Sequence, residues 1–174
     1  LARELARAAR IKAEVALIVM DIDGFKAIND THGHHVGDHA LRQVSAALRA
    51  SLRPYDLSVR YAGDEFIVVL DDCSPEAADA KRRDLQDRIA KIELVVRPGK
   101  TLRLAASAGA SVFPHDGTTY EALLARADLR MYRDKAARRG GVRLSPPPAR
   151  TSIVTTDILD TPAPAAVRLV PPPA

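Results

Sequence analysis

The chain has 174 residues, 47% of them hydrophobic and 28% charged, which allows one packed domain and excludes a fibrous or wholly disordered chain. A formal net charge of +4 suits a phosphate-bearing ligand or simply a solvated basic surface, while 4% aromatics and no Trp leave little material for stacking nucleic-acid bases. The single cysteine, Cys73, excludes an intrachain disulfide, and the longest apolar run, Val15 to Met20, is too short to span a bilayer.

Residues 1–13 are rich in Ala, Arg and Leu and predict a helix with a thin apolar stripe of Leu5, Ala8, Ala9 and Lys12, entering from an upstream region. Val15 to Met20 reads as a buried strand that ends in Asp21-Ile22-Asp23, where the alternation of faces puts both carboxylates on one side. A short helical turn, Phe25 to Asp30, precedes a loop over Thr31 to Gly37. Asp38 is the expected N-cap of an amphipathic helix carrying Leu41, Val44, Leu48 and Leu52 and stopped by Pro54.

Leu57 to Tyr61 and Glu65 to Leu70 predict a tight hairpin around Ala62-Gly63-Asp64. Ser74 and Pro75 are a cap and first residue for a helix running to about Leu94. Pro98-Gly99 reads as a turn, Thr101 to Phe113 as one long strand, Pro114 to Gly117 as a second turn and Thr119 to Ala137 as the last helix. Val142 to Leu144 reads as a short edge strand. The order implies an α+β fold, ferredoxin-like, with a mainly antiparallel five-stranded sheet and helices packed on it. Residues 145–174 carry the proline runs 146–148 and 171–173 and predict a disordered tail or linker.

Three features converge on chemistry: Asp21-x-Asp23 at a strand end, Asp64-Glu65 at a hairpin tip, and the late cations Lys135, Arg138 and Arg139. Carboxylates on adjacent strand ends can hold Mg²⁺, two such metals can assist in-line displacement at phosphorus, and the cations can neutralise a polyphosphate. Taken singly, each also reads as a solvated turn or a complement to a helix dipole. His32, His34, His35 and His39 resemble a metal cluster, but no acidic or cysteine partner completes a zinc set.

Several motifs together resemble the GGDEF diguanylate cyclase family, over residues 13–143. Arg60-Tyr-Ala-Gly-Asp-Glu-Phe66 resembles its signature hairpin and Asp21-Ile-Asp-Gly-Phe-Lys-Ala-Ile-Asn-Asp30 its other defining segment. Gly33-His34, Gly37-Asp38, Ser107-Ala-Gly109, Ala127-Asp128, Met131-Tyr132 and Lys135 follow in order. The resemblance assigns the catalytic domain to residues 14–144, with a fold like that of nucleotidyl cyclases and polymerase palms. It implies condensation of two GTP into cyclic di-GMP across a homodimer, with Mg²⁺ or Mn²⁺. Asp21, the Ile22 carbonyl, Asp64 and Glu65 would hold metal, with Asp64 and Glu65 catalytic. Asn29 and Asp38 would read the guanine edge; Phe25 and Gly63 would line the nucleotide; Lys26, Lys135 and Arg139 would bind phosphates. Asp23 would organise the site. Arg53-Pro-Tyr-Asp56 matches the position of the family's inhibitory product site, which implies allosteric product inhibition.

The resemblance further implies a cytoplasmic bacterial location, free or tethered through an upstream sensor or dimerising region, with no membrane contact by this segment and no nucleic-acid partner. Ala62 stands where the signature has its first glycine, at a cost of about 1 kcal/mol if that residue needs positive φ. Two other readings compete: a catalytically weak or inactive receptor for GTP or cyclic di-GMP, and an RNA-binding module on the same type of sheet, which the lack of stacking aromatics on the central strands disfavours.

Overall fold

The structure is a computed structural model and describes residues 2–138; Arg139, the expected edge strand at 142–144 and the proline-rich stretch lie outside them. The elements are α1 (Ala2–Ile11), β1 (Val15–Ile22), α2 (Phe25–His32), α3 (His34–Ser51), β2 (Leu57–Ala62), β3 (Glu65–Asp71), α4 (Pro75–Ala90), β4 (Glu93–Arg97), β5 (Lys100–Arg103), β6 (Ala106–Phe113) and α5 (Tyr120–Arg138). Among the described residues no helix is long and apolar enough to cross a membrane.

The sheet is antiparallel with strand order β2-β3-β1-β6, and a separate two-stranded ribbon joins β4 to β5. Four of the five expected strands form the described sheet, and the fifth, at 142–144, lies outside the described residues. The run 101–113 is two strands because it changes partner midway. Lys100–Arg103 pairs with β4, while Ala106–Phe113 pairs with β1. The preceding helix ends at Ala90 and not near Leu94. Ile92 to Val96 is rich in β-branched residues, and its Leu94 is fully buried as a strand residue.

A second correction concerns α3, which starts at His34. Gly33, at φ 85°, separates it from α2 and supplies the reversal by its backbone alone, accepting from Val36 N–H at 3.1 Å. Asp38 therefore lies within the helix and caps nothing. Ser74 caps α4 as expected, accepting from Ala77 N–H at 3.3 Å, with Pro75 behind it.

Every residue of β1 is buried, because helices cover both faces of the sheet. Ala16, Ile18, Met20 and Ile22 face the layer of α3 and α4, meeting Val44, Leu48, Leu85 and Ile89. Val15, Leu17 and Val19 face the layer of α1 and α5, meeting Leu5, Ala8, Leu123, Ala127 and Met131. Only Leu5 and Ala8 of the expected α1 stripe are buried; Ala9 and Lys12 are exposed.

The β6 face toward α5 is unusually small: Ser107, Gly109 and Ser111. A Cβ on Gly109 would stand 2.0 Å from the Ala127 carbonyl oxygen and 2.3 Å from Met131 N. The helix backbone thus rests almost directly on the strand, and Ser111 Oγ donates to the Leu123 carbonyl at 2.8 Å. The outer edge of β6 is capped by side chains. Gln86 donates to Ala106 O at 2.9 Å and Arg130 to Ala110 O at 2.6 Å. Ala108 N–H donates to Asp134 and Val112 N–H to Asp116, both at 3.0 Å.

Asp116 also receives Arg130 on both oxygens, at 2.7 and 2.8 Å. Burial alone would raise its pKa, but the Arg130 and Val112 hydrogen bonds outweigh it and hold the carboxyl below its ordinary 3.8. The ionised form is therefore the stabilising one: its contribution is complete above the unfolded-state value and is lost as pH falls through the depressed folded value. Asp116→Asn is expected to cost about 2 kcal/mol at pH 7 and less in acid, read by urea unfolding across pH. Gly109→Ala, which drives a methyl into helix backbone, is expected to cost at least about 1–3 kcal/mol in the same assay.

Candidate active site

The carboxylates gather at one end of the sheet because two adjacent antiparallel strands meet there. Asp21, near the end of β1, is the ladder partner of Glu65 at the start of β3. Paired residues in such a ladder share a face, so both sit on the side of α5. Ile22 N–H donates to the Asp64 carbonyl at 3.2 Å, which fastens the β2–β3 turn to the end of β1. The turn itself needs Gly63, at φ 55°, and Arg60 Nε closes it by donating to the Gly63 carbonyl at 2.8 Å. Ala62 belongs to β2 and has no positive φ, so alanine in place of the signature's first glycine carries no backbone strain.

Lys135 reaches this end from the last turns of α5, its Nζ 2.5 Å from Asp21 Oδ1, with the two side chains 21% and 12% exposed. The ion pair exists because α5 lies so close to β6. Asp134, one residue earlier, fixes that register, taking Gln86 Nε2 at 2.7 Å and Ala108 N–H at 3.0 Å on one oxygen. Asp23 does not join the carboxylate group. Its backbone N–H donates to Ala105 O at 2.9 Å and its Oδ1 accepts from Ser107 Oγ at 2.7 Å, an organising contact between β1 and β6.

Asp64 is pushed above the usual carboxylate value, first by burial and then by the negative charge of Asp21; its own backbone hydrogen bond, Lys135 and Arg60 pull the other way without prevailing. Excess negative charge in a half-buried place invites a cation. Among the described residues no three His, Cys, Asp or Glu side chains converge as a complete cage, the four histidines included. A hard dication that keeps water and phosphate oxygens in its shell does not need one. Asp21, Asp64, Glu65 and the Ile22 carbonyl are the oxygen donors that would hold such an ion.

Behind the carboxylates, α2 opens on Gly24, at φ 71°, with no side-chain cap. The N–H groups of the first helical residues Phe25, Lys26 and Ala27 therefore have no intrahelical acceptor, the situation in which a helix start can bind an anion. Lys26 is exposed beside it. Asn29 is half-buried on α2 and Asp38 exposed on α3; Asn29 Oδ1 is buried without a hydrogen-bond partner.

Arg53 and Asp56 stand apart. Asp56 Oδ2 accepts from Arg53 N–H at 2.9 Å, and Asp56 N–H donates to Arg53 O at 3.0 Å, so the loop is a closed turn. It borders a cleft of about 360 Å³ with Asp71, Cys73, Lys81 and Asp84. A second cleft, of about 440 Å³, runs along β6 between α4 and α5. Neither includes Asp21 or Asp64, which lie outside them at the end of the sheet. Sequence reasoning gave no role to Arg60, Ser107, Asp134 or Lys81. The first two lie inside recognised motifs and were within reach; Asp134 and Lys81 are helix charges among many, with nothing in their spacing to single them out.

Comparison with known proteins bears on the family and the fold. The family described as "Diguanylate cyclase, GGDEF domain" matches residues 1–141. The chain is 37% identical over 142 residues to the diguanylate cyclase DosC of Escherichia coli K12, covering 82% of this chain and 31% of that protein. It is 39% identical over 131 residues to the response regulator PleD of Caulobacter vibrioides, covering 74% and 28%. It thus spans about a fifth to a third of the length of such curated relatives. A sensory box/GGDEF family protein from Caulobacter crescentus superposes with a TM-score of 0.72 at 34% identity, covering 79% of this chain and 88% of that one. The active GGEEF domain of a Vibrio cholerae diguanylate cyclase gives 0.71 at 28%, covering 80% and 89%. With its signature hairpin closed by Arg60 and its Asp21–Lys135 pair at the sheet end, the chain belongs to the GGDEF diguanylate cyclase domain family.

Proposed function

We propose that the chain condenses two GTP molecules into cyclic di-GMP and two pyrophosphates. The observation that carries the reading is the half-buried Asp64 beside Asp21, with Lys135 against them and a bare helix N-terminus behind. That set is suited to a nucleoside triphosphate with its dication and to little else. Asp21, Asp64, Glu65 and the Ile22 carbonyl would hold Mg²⁺ or Mn²⁺, which supplies charge neutralisation at the reacting phosphate and activation of the attacking hydroxyl.

The chain's own groups do the rest. The N–H groups at the start of α2 bind phosphate oxygens with Lys26 and Lys135, and Arg139 is assigned to the same task. Asn29 and Asp38 orient the base, while Phe25 and Gly63 bound the nucleotide. Each protomer holds one GTP. The ribose 3′-oxygen of one forms a bond to the α-phosphorus of the other, the bond to the bridging oxygen breaks, and pyrophosphate leaves with that electron pair. The 3′-hydroxyl proton passes to a carboxylate of the site or to water. Repetition with roles exchanged closes the ring. The carboxylates sit at an open end of the sheet, as half of a shared site requires, so a homodimer is part of this reading and positioning is its main source of rate. Product returning to the Arg53–Asp56 cleft would inhibit. An upstream sensor or dimerising region and a cytoplasmic setting complete the proposal.

A second reading, a receptor that binds nucleotide without turnover, is favoured by one observation. A relative named a cyclic di-GMP phosphodiesterase, NbdA of Pseudomonas aeruginosa, matches 74% of this chain at 37% identity. Incubation with GTP and Mg²⁺ and separation of the products decides between them. Cyclic di-GMP formation rising more steeply than linearly with protein concentration supports the cyclase; GTP binding without product supports the receptor.

Asp64→Asn is expected to lower turnover by about 10²-fold or more. It is also expected to raise the melting temperature of the nucleotide-free protein at pH 7. Because the folded pKa lies above the unfolded value, the ionised carboxylate costs stability above that window, and the amide removes the cost. Calorimetry and the product assay read both halves. Arg53→Ala is expected to increase final cyclic di-GMP yield and weaken its binding by titration calorimetry; unchanged yield and affinity would remove the inhibitory role.

A further inference from the structure

We propose that Gly37 is a positioning residue for base selection: the space left by its missing side chain is the cradle that turns the Asn29 carboxamide toward the nucleotide. The inference rests on the cyclase reading, in which Asn29 and Asp38 face the guanine edge, and deepens it.

Glycine inside a helix lowers helix stability, so its presence in α3 calls for a cause. Backbone conformation is not that cause, because Gly37 is absent from the positive-φ glycines. Space is. A Cβ at Gly37 would lie 1.9 Å from Asn29 Oδ1, 2.9 Å from Asn29 Cγ and 3.2 Å from Phe25 Cζ. The Asn29 amide therefore occupies the volume that any other residue at 37 would fill. The backbone beneath it is fixed, since the Asn29 main-chain carbonyl accepts from Gly33 N–H at 2.8 Å at the end of α2.

The orientation follows from polarity. Oδ1 is buried in the cradle with no hydrogen-bond partner. The neighbouring glycine Cα–H is a weak donor, compatible with a carbonyl oxygen and unfavourable to an NH₂ group. The planar amide then turns Nδ2 away from the cradle, so the group it offers outward is a donor. Asp38, the next residue of α3, is exposed and offers an acceptor. Guanine presents acceptors at O6 and N7 and donors at N1 and the 2-amino group; adenine presents an amino donor at position 6 and an acceptor at N1. With the Asn29 donor at position 6 and the Asp38 acceptor at N1 and the 2-amino group, the pair matches guanine, whereas adenine in the same pose sets its amino donor against the Asn29 donor and its N1 acceptor against the carboxylate. Gly37 sets the donor half of that pair without touching the base.

The test is a cycle of Gly37→Ala, Asn29→Ala and the double variant. Each is read by mant-GTP and mant-ATP binding, by the KM and kcat of cyclic di-GMP formation, and by melting temperature. Gly37→Ala is expected to weaken mant-GTP binding and raise KM about tenfold, with kcat at saturation within about twofold and the preference over mant-ATP reduced in step. On the Asn29→Ala background the same change should cost nothing further, and the double variant should melt no lower than Asn29→Ala alone, since the clash has gone. Full additivity, wild-type GTP binding by Gly37→Ala, or a double variant that fails to fold overturns the proposal. Should Gly37→Ala alone fail to fold while the double variant folds, the clash with Asn29 is upheld. An ¹⁵N spectrum without nucleotide separates the two levels of inference: the Asn29 Nδ2H₂ pair should shift in Gly37→Ala, and an unmoved pair refutes the cradle. If the pair moves but wild-type protein binds no mant-GTP, the cyclase reading fails and the base-selection role falls with it.

Discussion

The close approach of α5 to β6 across Gly109 is the constraint on which the rest of the molecule depends. A helix normally stands off a sheet by the depth of its side chains. Here the strand offers Ser107, Gly109 and Ser111, and helix backbone sits where a Cβ would be. That distance sets how far along the sheet the helix side chains reach. Lys135 arrives at Asp21, and Asp134 grips Ala108 and Gln86 one residue earlier. A bulkier strand would keep the same fold and move the ammonium away from the carboxylates. The glycine is a packing residue that sets where Lys135 meets Asp21.

The site is built against stability in a measured way. Asp64 is ionised with difficulty, from burial and from Asp21, and the neighbouring cations do not cancel the effect. Asn29 buries an acceptor that nothing in the protein satisfies. The helix behind them starts without a side-chain cap. The first and the third are of the sign that a triphosphate with its dication would relieve, while the buried Asn29 oxygen is what it costs to turn Nδ2 outward. The supporting contacts, Arg60 to Gly63 and Ser107 to Asp23, are conventional hydrogen bonds that hold the strained groups in place.

Much of this was legible in the residues. The apolar run Val15 to Met20 marked a buried strand, and the hairpin was marked by Gly63 between two β-rich runs. The carboxylate group followed from those two elements. What was not legible depended on partners. Residues 101–113 form an unbroken strand-like run, and nothing local says that 100–103 pairs with β4 and 106–113 with β1. The α4 boundary was misplaced because Lys91 to Leu94 contains no glycine or proline to stop a helix. Asp38 looked like a cap because its type suits one, whereas Gly33 had already begun the helix by its conformation. The role of Gly37 was invisible, since space is a property of two helices together.

The capped edge of β6 has a consequence for the chain during its synthesis. In the finished domain the strand's outward backbone groups at 106, 108, 110 and 112 are met by Gln86, Asp134, Arg130 and Asp116. Two of those four, Arg130 and Asp134, belong to α5 and leave the ribosome only after β6 itself. Until they emerge, a nearly complete sheet shows the outward groups at 108 and 110 unmet. On a crowded polysome, neighbouring nascent copies would offer that edge a partner before its own helix can close it. The last helix therefore also serves as the seal that ends the domain's exposure to its siblings.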